Sequence, residues 1–309
     1  MSTHVCVVCG ATEAEFTCGF CRIPRYCARL CQKKDHQRHK QECSDKVMER
    51  RRKKEEEEET KLSKELKKVS VEDQKQYTEM LCTGVKEENL RLIQLLLAKD
   101  ETNVNEVGSE GFSPLWLACE SGLISVVEIL LLADGIDVNQ AETTVGVTPL
   151  FIACENGHTP VVELLLASSG IAVNQATTNN RLCPLFIACQ NGHTPVVELL
   201  LAANDIDINQ ARTMDGCTPL YVACQNGHAP VVELLLALSE IAVNQARTDD
   251  GTTPFYKACQ KGHALVVELL LAASGIDINI GPQDWSPLRV ARQTKHTEIV
   301  QLLVDAGAQ

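Results

Sequence analysis

The chain has 309 residues, 44% of them hydrophobic, and a formal net charge of −12. This length suffices for two or three domains, but no apolar run approaches the ~18–20 residues of a membrane span, and the start, MSTHVCVVCG, lacks the basic and apolar regions of a secretory signal. We therefore expect an intracellular protein, cytoplasmic or nuclear or both, whose fifteen cysteines are metal ligands or core residues rather than disulfides.

The first predicted element is a cysteine-rich segment over residues 6–43. It carries seven cysteines and one histidine in the pattern C-x2-C-x8-C-x2-C-x5-C-x3-C-x7-H-x3-C. Such spacings let a tight turn or one helical turn direct two ligands at one ion, and zinc takes four N or S ligands. A segment this short has no core in which to bury structural cysteines, so the cysteines are expected to be metal ligands. Eight ligands at four per ion predict two zinc ions. The eight are Cys6, Cys9, Cys18, Cys21, Cys27, Cys31, His39 and Cys43.

This segment resembles the MYND-type zinc finger, through the eight ligands and the pairs Tyr26-Cys27, Cys31-Gln32 and His39-Lys40. The resemblance implies that the ligand pairs interleave between two ions, with one set of four cysteines and a second set that includes the histidine. The implied sets are Cys6, Cys9, Cys27 and Cys31 for the first zinc, and Cys18, Cys21, His39 and Cys43 for the second.

The resemblance implies that partner binding by the finger would involve Gln32 and His36. In MYND fingers that bind proline-rich peptides, a tryptophan at the position of His36 and the glutamine matching Gln32 line the peptide groove. Here the large apolar indole is missing, so the resemblance leaves proline-peptide binding open. The resemblance does not make His36 a zinc ligand, because the family histidine matches His39.

A basic zinc finger could instead bind nucleic acid, and the charge of this segment argues against that. Residues 1–43 carry seven Lys/Arg and four Asp/Glu, but seven thiolates and two zinc ions would bring the balance to zero. Binding to phosphates requires an excess of cationic groups. We therefore expect no binding to nucleic acid.

The second predicted element is a charged linker over residues 44–71. Up to Ser70 it has ten Lys/Arg, eight Asp/Glu, no Pro or Gly and few apolar residues. Helix formers and i,i+4 pairs such as Arg52/Glu56 and Lys53/Glu57 predict a solvated, partly helical spacer. The basic run that ends at Lys54 also resembles a nuclear import signal, and a charge-balanced linker is the alternative interpretation.

The third element is a repeat. A unit of the type TPLFIACENGHTPVVELLLAS occurs six times, with its proline at Pro114, Pro149, Pro184, Pro219, Pro254 and Pro287. A fixed period near 33–35 residues indicates a repeat array. In each unit Ser or Thr (Cys183 in one) is expected to cap a first helix with proline at its first position, and a glycine such as Gly157 to end it. Thr159 and Thr194 are expected to cap the second helices.

The unit resembles the ankyrin repeat, over residues 72–309. The resemblance implies a mainly α fold, an α-solenoid of helix-turn-helix units with β-hairpin loops. We count seven repeats, of which the first, lacking the TPL start, and the last are divergent caps. The last one places Arg289, Arg292 and Lys295 where the other units have mostly apolar, small or amide residues, as expected for a polar outer face.

Two sets of recurring residues invite a catalytic or metal-binding interpretation. Stacking separates equivalent positions of neighbouring repeats by about 10 Å, far more than the ~2.0–2.3 Å of a metal–ligand bond. The histidines are therefore expected to hold the turn between helices, and the cysteines to be small core residues. The sets are His158, His193, His228 and His263, and Cys119, Cys154, Cys189, Cys224 and Cys259.

The resemblance also implies a protein-binding concave face, made of hairpin tips and the exposed side of the first helices. The tips differ between units while the helices hardly do, which favours selectivity in the tips; neutral drift of exposed tips is the alternative. The corresponding residues are Glu120, Val145, Val147, Glu155, Asn156, Asn179, Asn180, Leu182, Gln190, Asn191, Met214, Asp215, Cys217, Gln225, Asn226, Asp249, Asp250, Thr252, Gln260 and Lys261.

These elements predict a non-catalytic adaptor that binds one protein through the finger and another through the concave face. No nucleophile–base set, phosphate loop or paired-acid motif stands out, and eight protein ligands leave no open zinc position for an enzyme. Residues 71–309 carry a balance of −17, which favours a partner with a basic or amide-rich surface. We expect a monomer that does not bind membranes. The alternative is a nuclear transcriptional co-regulator that recruits proline-rich motifs through the finger.

Overall fold

The computed structural model describes residues 16–17, 24–26, 49, 52–54, 56–57, 60, 74–99, 102–283 and 285–309. The chain separates into two compact units, Met1–Ser70 and Val71–Gln309. Within the parts described, no helix is both long and apolar enough to cross a lipid bilayer.

In the first unit, two short strands, Phe16–Thr17 and Pro24–Tyr26, pair antiparallel, with Phe16 opposite Tyr26. The described linker residues are helical and exposed, as the charge pattern predicts. Arg52 pairs with Glu56 at 3.7 Å, but Lys53 pairs with Glu49 at 2.9 Å rather than with Glu57. That order, acid before base along the helix, is the more favourable one.

The second unit is a stack of seven helix pairs over the described residues, as the repeat pattern predicts. In each pair we call the first helix the inner helix and the second the outer helix. Inner helices pack against inner helices and outer against outer in neighbouring repeats. From repeat 1 to repeat 7 the pairs are Gln74–Lys86 and Leu90–Leu97, Pro114–Glu120 and Ile124–Leu131, Pro149–Glu155 and Thr159–Leu166, Pro184–Asn191 and Thr194–Leu201, Pro219–Asn226 and Ala229–Leu236, Pro254–Lys261 and Ala264–Leu271, and Pro287–Gln293 and Thr297–Asp305.

The inner helices of repeats 2 to 7 begin as predicted. In repeat 3 the Thr148 hydroxyl accepts a hydrogen bond from the Phe151 N–H at 3.1 Å, and Pro149 occupies the first helical position. Cys183, the one cap without a hydroxyl group, also caps its helix: its sulfur accepts a hydrogen bond from the Phe186 N–H at 3.4 Å. A side-chain acceptor at this position satisfies one of the N–H groups that the first turn leaves without a partner.

The predicted caps of the outer helices are wrong. Thr159 and Thr194 are the first residues inside their helices, and the capping positions belong to His158 and His193. Neither histidine makes a side-chain capping bond, because each imidazole is directed to the preceding repeat.

The core follows the repeat. Val196, Val197 and Leu200 of an outer helix and Leu185 of the adjacent inner helix have no exposed surface. The two helices of each repeat therefore bury their apolar faces against each other and against the neighbouring repeats. A solenoid is stable under this condition. In the last repeat Arg289, Arg292 and Lys295 are exposed, which confirms the predicted polar end.

Candidate protein-binding surface

The loops between repeats turn back as tight hairpins. In repeat 3 the Glu142 N–H donates to the Val147 carbonyl at 3.0 Å, and three later loops close through the equivalent bond. Neighbouring tips also touch, since the Thr178 N–H donates to the Val145 carbonyl at 2.8 Å. Among residues 74–99, 102–283 and 285–309 none of these hairpins extends into strands. The tips are thus a row of turns held at fixed spacing by the repeats.

The tip of repeat 3 is organised by a buried carboxylate. Glu142 accepts hydrogen bonds from the Thr144 hydroxyl and N–H, both at 2.6 Å, and from the N–H groups of Val145 at 2.7 Å and Val147 at 3.1 Å. Burial acts to raise the pKa of this carboxyl, but the four hydrogen bonds outweigh it and lower the pKa to about 2. Glu142 therefore stabilises its tip as an ion.

The tips of repeats 5 and 6 share a network of charges. Arg212 makes a two-pronged ion pair with Asp215, and Arg247 of the next repeat reaches the same carboxylate at 3.1 Å. Arg247 also pairs with Asp249 and Asp250. Hydrogen bonding from Arg212 is the largest influence that lowers the pKa of Asp215. The network joins two repeats through an ionised residue, Asp215, that is only 5% exposed.

This network changes which predicted contact residues are available. Cys217 and Thr252 are buried together with Asp215, and Thr252 is bonded both to Asp250 at 2.6 Å and to the Tyr221 hydroxyl at 2.8 Å. We do not retain these three side chains as partner contacts, because their surfaces face the interior. The sequence pattern places them at the tips but does not reveal the two arginines that hold Asp215 or the Tyr221 hydroxyl that bonds Thr252.

The remaining predicted contacts lie at least partly in solvent. The exposed ones are Glu120, Asn156, Asn179, Asn191, Met214, Asn226, Asp249, Asp250 and Lys261. The partly exposed ones are Val145, Val147, Glu155, Asn180, Leu182, Gln190, Gln225 and Gln260. We call Glu120, Glu155, Gln190, Gln225 and Gln260, which occupy the last turn of successive inner helices, the inner-helix row.

The asparagines beside this row have a structural task. The Asn191 side-chain amide donates to the Glu155 carbonyl of the preceding repeat at 2.8 Å, and Asn156 and Asn226 make the equivalent bond. The same carbonyl receives the His193 imidazole Nε2, at 3.0 Å. Since a carbonyl can only accept, Nε2 carries the proton. The recurring histidines therefore connect repeats, beyond the predicted task of holding a turn within one.

A second set of asparagines joins the loops that follow the outer helices. The Asn139 amide donates to the Gly170 carbonyl at 2.8 Å and its carbonyl oxygen accepts from the Ala172 N–H at 2.8 Å. These two-bond links are not among the predictions made from the sequence. The sequence feature that indicates them is the asparagine that follows Val or Ile once in each repeat from the first to the sixth. The residues that repeat the link are Asn105, Asn174, Asn209 and Asn244.

The recurring cysteines lie in the core. Cys119, Cys154, Cys189, Cys224 and Cys259 have no exposed surface, and burial raises the pKa of the Cys259 thiol to about 12. A thiol with so high a pKa is a poor metal ligand and a poor nucleophile. Within the described part of the chain no three His, Cys, Asp or Glu side chains are grouped so as to hold a metal.

The predicted zinc ligands, together with Gln32 and His36, lie outside the described residues. Their chemistry fits zinc, since seven thiolates and an imidazole are the N and S donors that this ion prefers. The two described strands flank Cys18 and Cys21 in the sequence.

Comparison with known proteins identifies both parts of the chain. The family model described as ankyrin repeats (3 copies) matches residues 59–142, 141–212, 174–245, 204–282 and 238–309. The MYND finger family, a zinc-binding domain, matches residues 6–43. A search of curated proteins returned no significant match.

Solved structures resemble the repeat array. The ankyrin repeat domain of Bcl-3, a member of the IkappaB protein family, has a TM-score of 0.62 at 25% identity over 73% of this chain and 97% of its own. An ankyrin repeat domain from Acinetobacter baumannii AYE has a TM-score of 0.56 at 27% identity over 63% of this chain and 98% of its own.

Proposed function

Because the chain belongs to the ankyrin-repeat family and carries a MYND finger, we propose that it is a non-catalytic adaptor that binds one protein through the finger and another through the array. Domains of both kinds are protein-interaction modules and are typically non-catalytic. The array surface proposed for binding comprises the inner-helix row and the hairpin tips.

One observation carries this proposal. Beside the inner-helix row, the hydrogen bonds between repeats use backbone carbonyls, asparagine amides and imidazoles, while the side chains of the row itself remain at least partly in solvent. The tip residue Met214 is 69% exposed, which is unusual for an unbranched apolar side chain that packs readily into irregular surfaces. The scaffold thus presents side chains, those of the inner-helix row and Met214, that the bonds between repeats do not use.

In the finger we propose two zinc ions. Cys6, Cys9, Cys27 and Cys31 would hold one, and Cys18, Cys21, His39 and Cys43 the other, with eight protein ligands closing both sites. Zinc would supply folding energy there and no chemistry. Without the usual tryptophan, Gln32 and His36 form the candidate contact with a proline-rich peptide.

We further propose that the protein is an intracellular monomer that binds neither nucleic acid nor membranes and is not an enzyme. The neutral balance expected for the zinc-loaded finger and the −17 balance of residues 71–309 support the first exclusion. The acidic balance also favours a basic or amide-rich partner for the array.

Affinity capture from cell extract tests the two binding roles separately. Cys27→Ser removes a zinc ligand, and Met214→Arg combined with Gln225→Arg alters the array surface without touching a core side chain. Each is expected to lose a different set of proteins. The control is Glu163→Arg with Glu198→Arg, on exposed positions of outer helices. If the array variant retains every protein that the wild type captures, the surface assignment is wrong.

The alternative function is a nuclear transcriptional co-regulator that recruits proline-rich motifs through the finger. It is favoured by the basic run near the linker helix, where Arg52, Lys53 and Lys54 are exposed. Imaging of a tagged chain against a variant with these three residues changed to Gln tests it. Cytoplasmic retention of the wild type would contradict this alternative.

A further inference from the structure

The inner-helix row changes charge along the array. Its members run from Glu120 and Glu155 through three glutamines, and the next residue after the last of them is Lys261. The acidic balance of the unit is concentrated elsewhere, on outer helices and the loops after them, where Glu128, Glu163, Glu198, Glu233 and Glu268 recur at one exposed position. The inner-helix row is therefore not uniformly acidic: it is acidic at one end and lies beside lysine side chains at the other.

Lys257 makes the basic end distinctive. At the equivalent position the four preceding repeats have aliphatic side chains, Leu117, Ile152, Ile187 and Val222, that are 3–8% exposed. Lys257 is partly buried at this position, and its ammonium Nζ donates to the Gln260 side-chain oxygen at 2.9 Å. A lysine has thus replaced the buried aliphatic residue of the four preceding repeats, at a position where its charge is poorly hydrated.

No carboxylate of the described residues pairs with Lys257. The nearest candidate, Asp250, is already engaged by the Thr252 N–H at 2.9 Å, the Thr252 hydroxyl at 2.6 Å and Arg247 at 3.3 Å. Burial, followed by repulsion from Lys261, lowers the pKa of Lys257, which is the direction expected of an ammonium without an ion-pair partner.

Glu155 has the mirror-image situation three repeats earlier. It is partly buried, and no basic side chain of the described residues lies within ion-pair distance of it. Burial raises the pKa of its carboxyl. Its backbone carbonyl is committed to His193 and Asn191, but its carboxylate remains available.

Both charges carry a desolvation cost that no ion pair within the described residues offsets, and a bound group of opposite charge would relieve it. Three repeat steps of about 10 Å separate them, or roughly 30 Å. An extended chain advances about 3.3 Å per residue, so a segment of about nine residues would span both.

We propose that the inner-helix row binds an extended segment of a partner protein in one orientation, with a basic side chain at Glu155 and an acidic side chain at Lys257 and Lys261. This inference rests on the proposed function of the array and refines the partner that net charge alone would favour. The glutamines between the two ends supply hydrogen bonds to the backbone of the segment.

Sister repeats provide substitutions that preserve the fold. Lys257→Val with Lys261→Asn installs the residues that repeat 5 has at the same positions, Val222 and Asn226. Glu155→Gln likewise installs the residue of repeat 4. The control is Glu163→Gln with Glu198→Gln on the outer helices, and unchanged thermal unfolding verifies that each variant is folded.

The probe is a phage-displayed library of random peptides, panned on the full zinc-loaded chain. We expect the wild type to select peptides with a basic and an acidic residue about nine positions apart. The lysine variant should bind them about tenfold more weakly or worse and select peptides without the acidic residue. The Glu155 variant should lose the basic preference, and the control should match the wild type.

The outcomes separate the inference from the proposed function. Peptides that depend on Met214 and Gln225 but show no charge preference would overturn the oriented-segment inference alone. Peptides that bind Cys27→Ser as well as the wild type and also bind every array variant equally, or no selected peptides at all, would overturn both the inference and the binding role of the array. Self-association that the lysine variant abolishes would identify a second copy of this chain as the occupant and would overturn the inference.

Discussion

The imidazole of His193 lies against Gly157 of the preceding repeat, with its Nδ1 2.7 Å from where a Cβ on that glycine would be. Gly157 has a positive φ of 71°. The same glycine–imidazole contact recurs between Gly122 and His158, Gly192 and His228, Gly227 and His263, and Gly262 and His296. At the two ends, Glu88 and Lys295 adopt a positive φ without being glycine. In the repeat that follows Glu88, Leu123 occupies the position that histidine has in the later repeats. Glycine is thus present where an imidazole needs the space.

Gly157→Ala should destabilise the array through two separable effects. The left-handed backbone costs a non-glycine residue about 1–2 kcal/mol, and the new methyl group would displace the His193 ring. His193→Ala alone should cost about 1 kcal/mol, for one lost hydrogen bond. The double variant should be more stable than the sum of the single changes predicts, as measured by urea unfolding. Strict additivity would show that the ring and the glycine do not interact.

Leu200→Ala should destabilise the chain by about 2–5 kcal/mol, because the side chain is fully buried between outer helices. Leu132→Ala is the matched control, since that leucine is 85% exposed and should change stability by less than about 0.5 kcal/mol. Denaturant unfolding followed by circular dichroism measures both. A loss below about 0.5 kcal/mol for Leu200 would place the core elsewhere.

The array thiols should resist alkylation in the folded chain. Burial raises the pKa of Cys183 to about 11 and of Cys217 to about 12, and all eight cysteines of the described array residues are buried. Iodoacetamide treatment with peptide mass mapping should find them modified only after denaturant is added. Rapid modification of Cys189 under native conditions would indicate that the stack opens locally.

Glu142 should stabilise the array in a pH-dependent way. Its pKa is lowered to about 2 in the folded chain, against a usual value near 4.3. Its contribution, roughly 2–3 kcal/mol, should be fully present above about pH 4.5 and disappear as the pH falls towards 2. The difference in unfolding free energy between wild type and Glu142→Gln should shrink over that range. A difference that is independent of pH would mean that the carboxylate charge is not involved. Glu163→Gln controls for the change in net charge.

The finger should bind two zinc ions per chain and require them to fold. Elemental analysis of the purified chain is expected to give about two zinc, with Cys27→Ser and His39→Ala each losing one and His36→Ala losing none. Chelator should remove the metal and leave the helical signal of the array unchanged, because no described residues there form a metal site. A stoichiometry of one or zero would rule out the two-site arrangement.

The helix pairs and inner-helix caps could be predicted because they depend on short-range pattern. Hydroxyl, proline and apolar residues at fixed offsets determine where an inner helix starts, and the period determines how many there are. The same short-range pattern predicts the outer-helix caps wrongly. Threonine is a good cap in isolation, but the imidazole one residue earlier is held by the preceding repeat and moves the helix boundary.

Long-range partners limited the prediction of the binding surface. Asp215 is a solvent-exposed tip residue by position, and its burial depends on Arg212 within its own loop and on Arg247 in the next repeat. The positions of Glu155 and Lys257 within their units likewise give no indication that one lacks a cation and the other an anion. Such relationships require coordinates, because the residues involved lie in different repeats.

The bonds from imidazole to carbonyl all run backwards along the chain. His193 bonds to the backbone carbonyl of Glu155, and each later histidine bonds to the equivalent carbonyl of the preceding repeat. During translation, each emerging repeat therefore finds its acceptor on a segment that has already left the ribosome. Assembly can proceed in the order of synthesis, and an interrupted chain would end in a repeat that is complete on its earlier side.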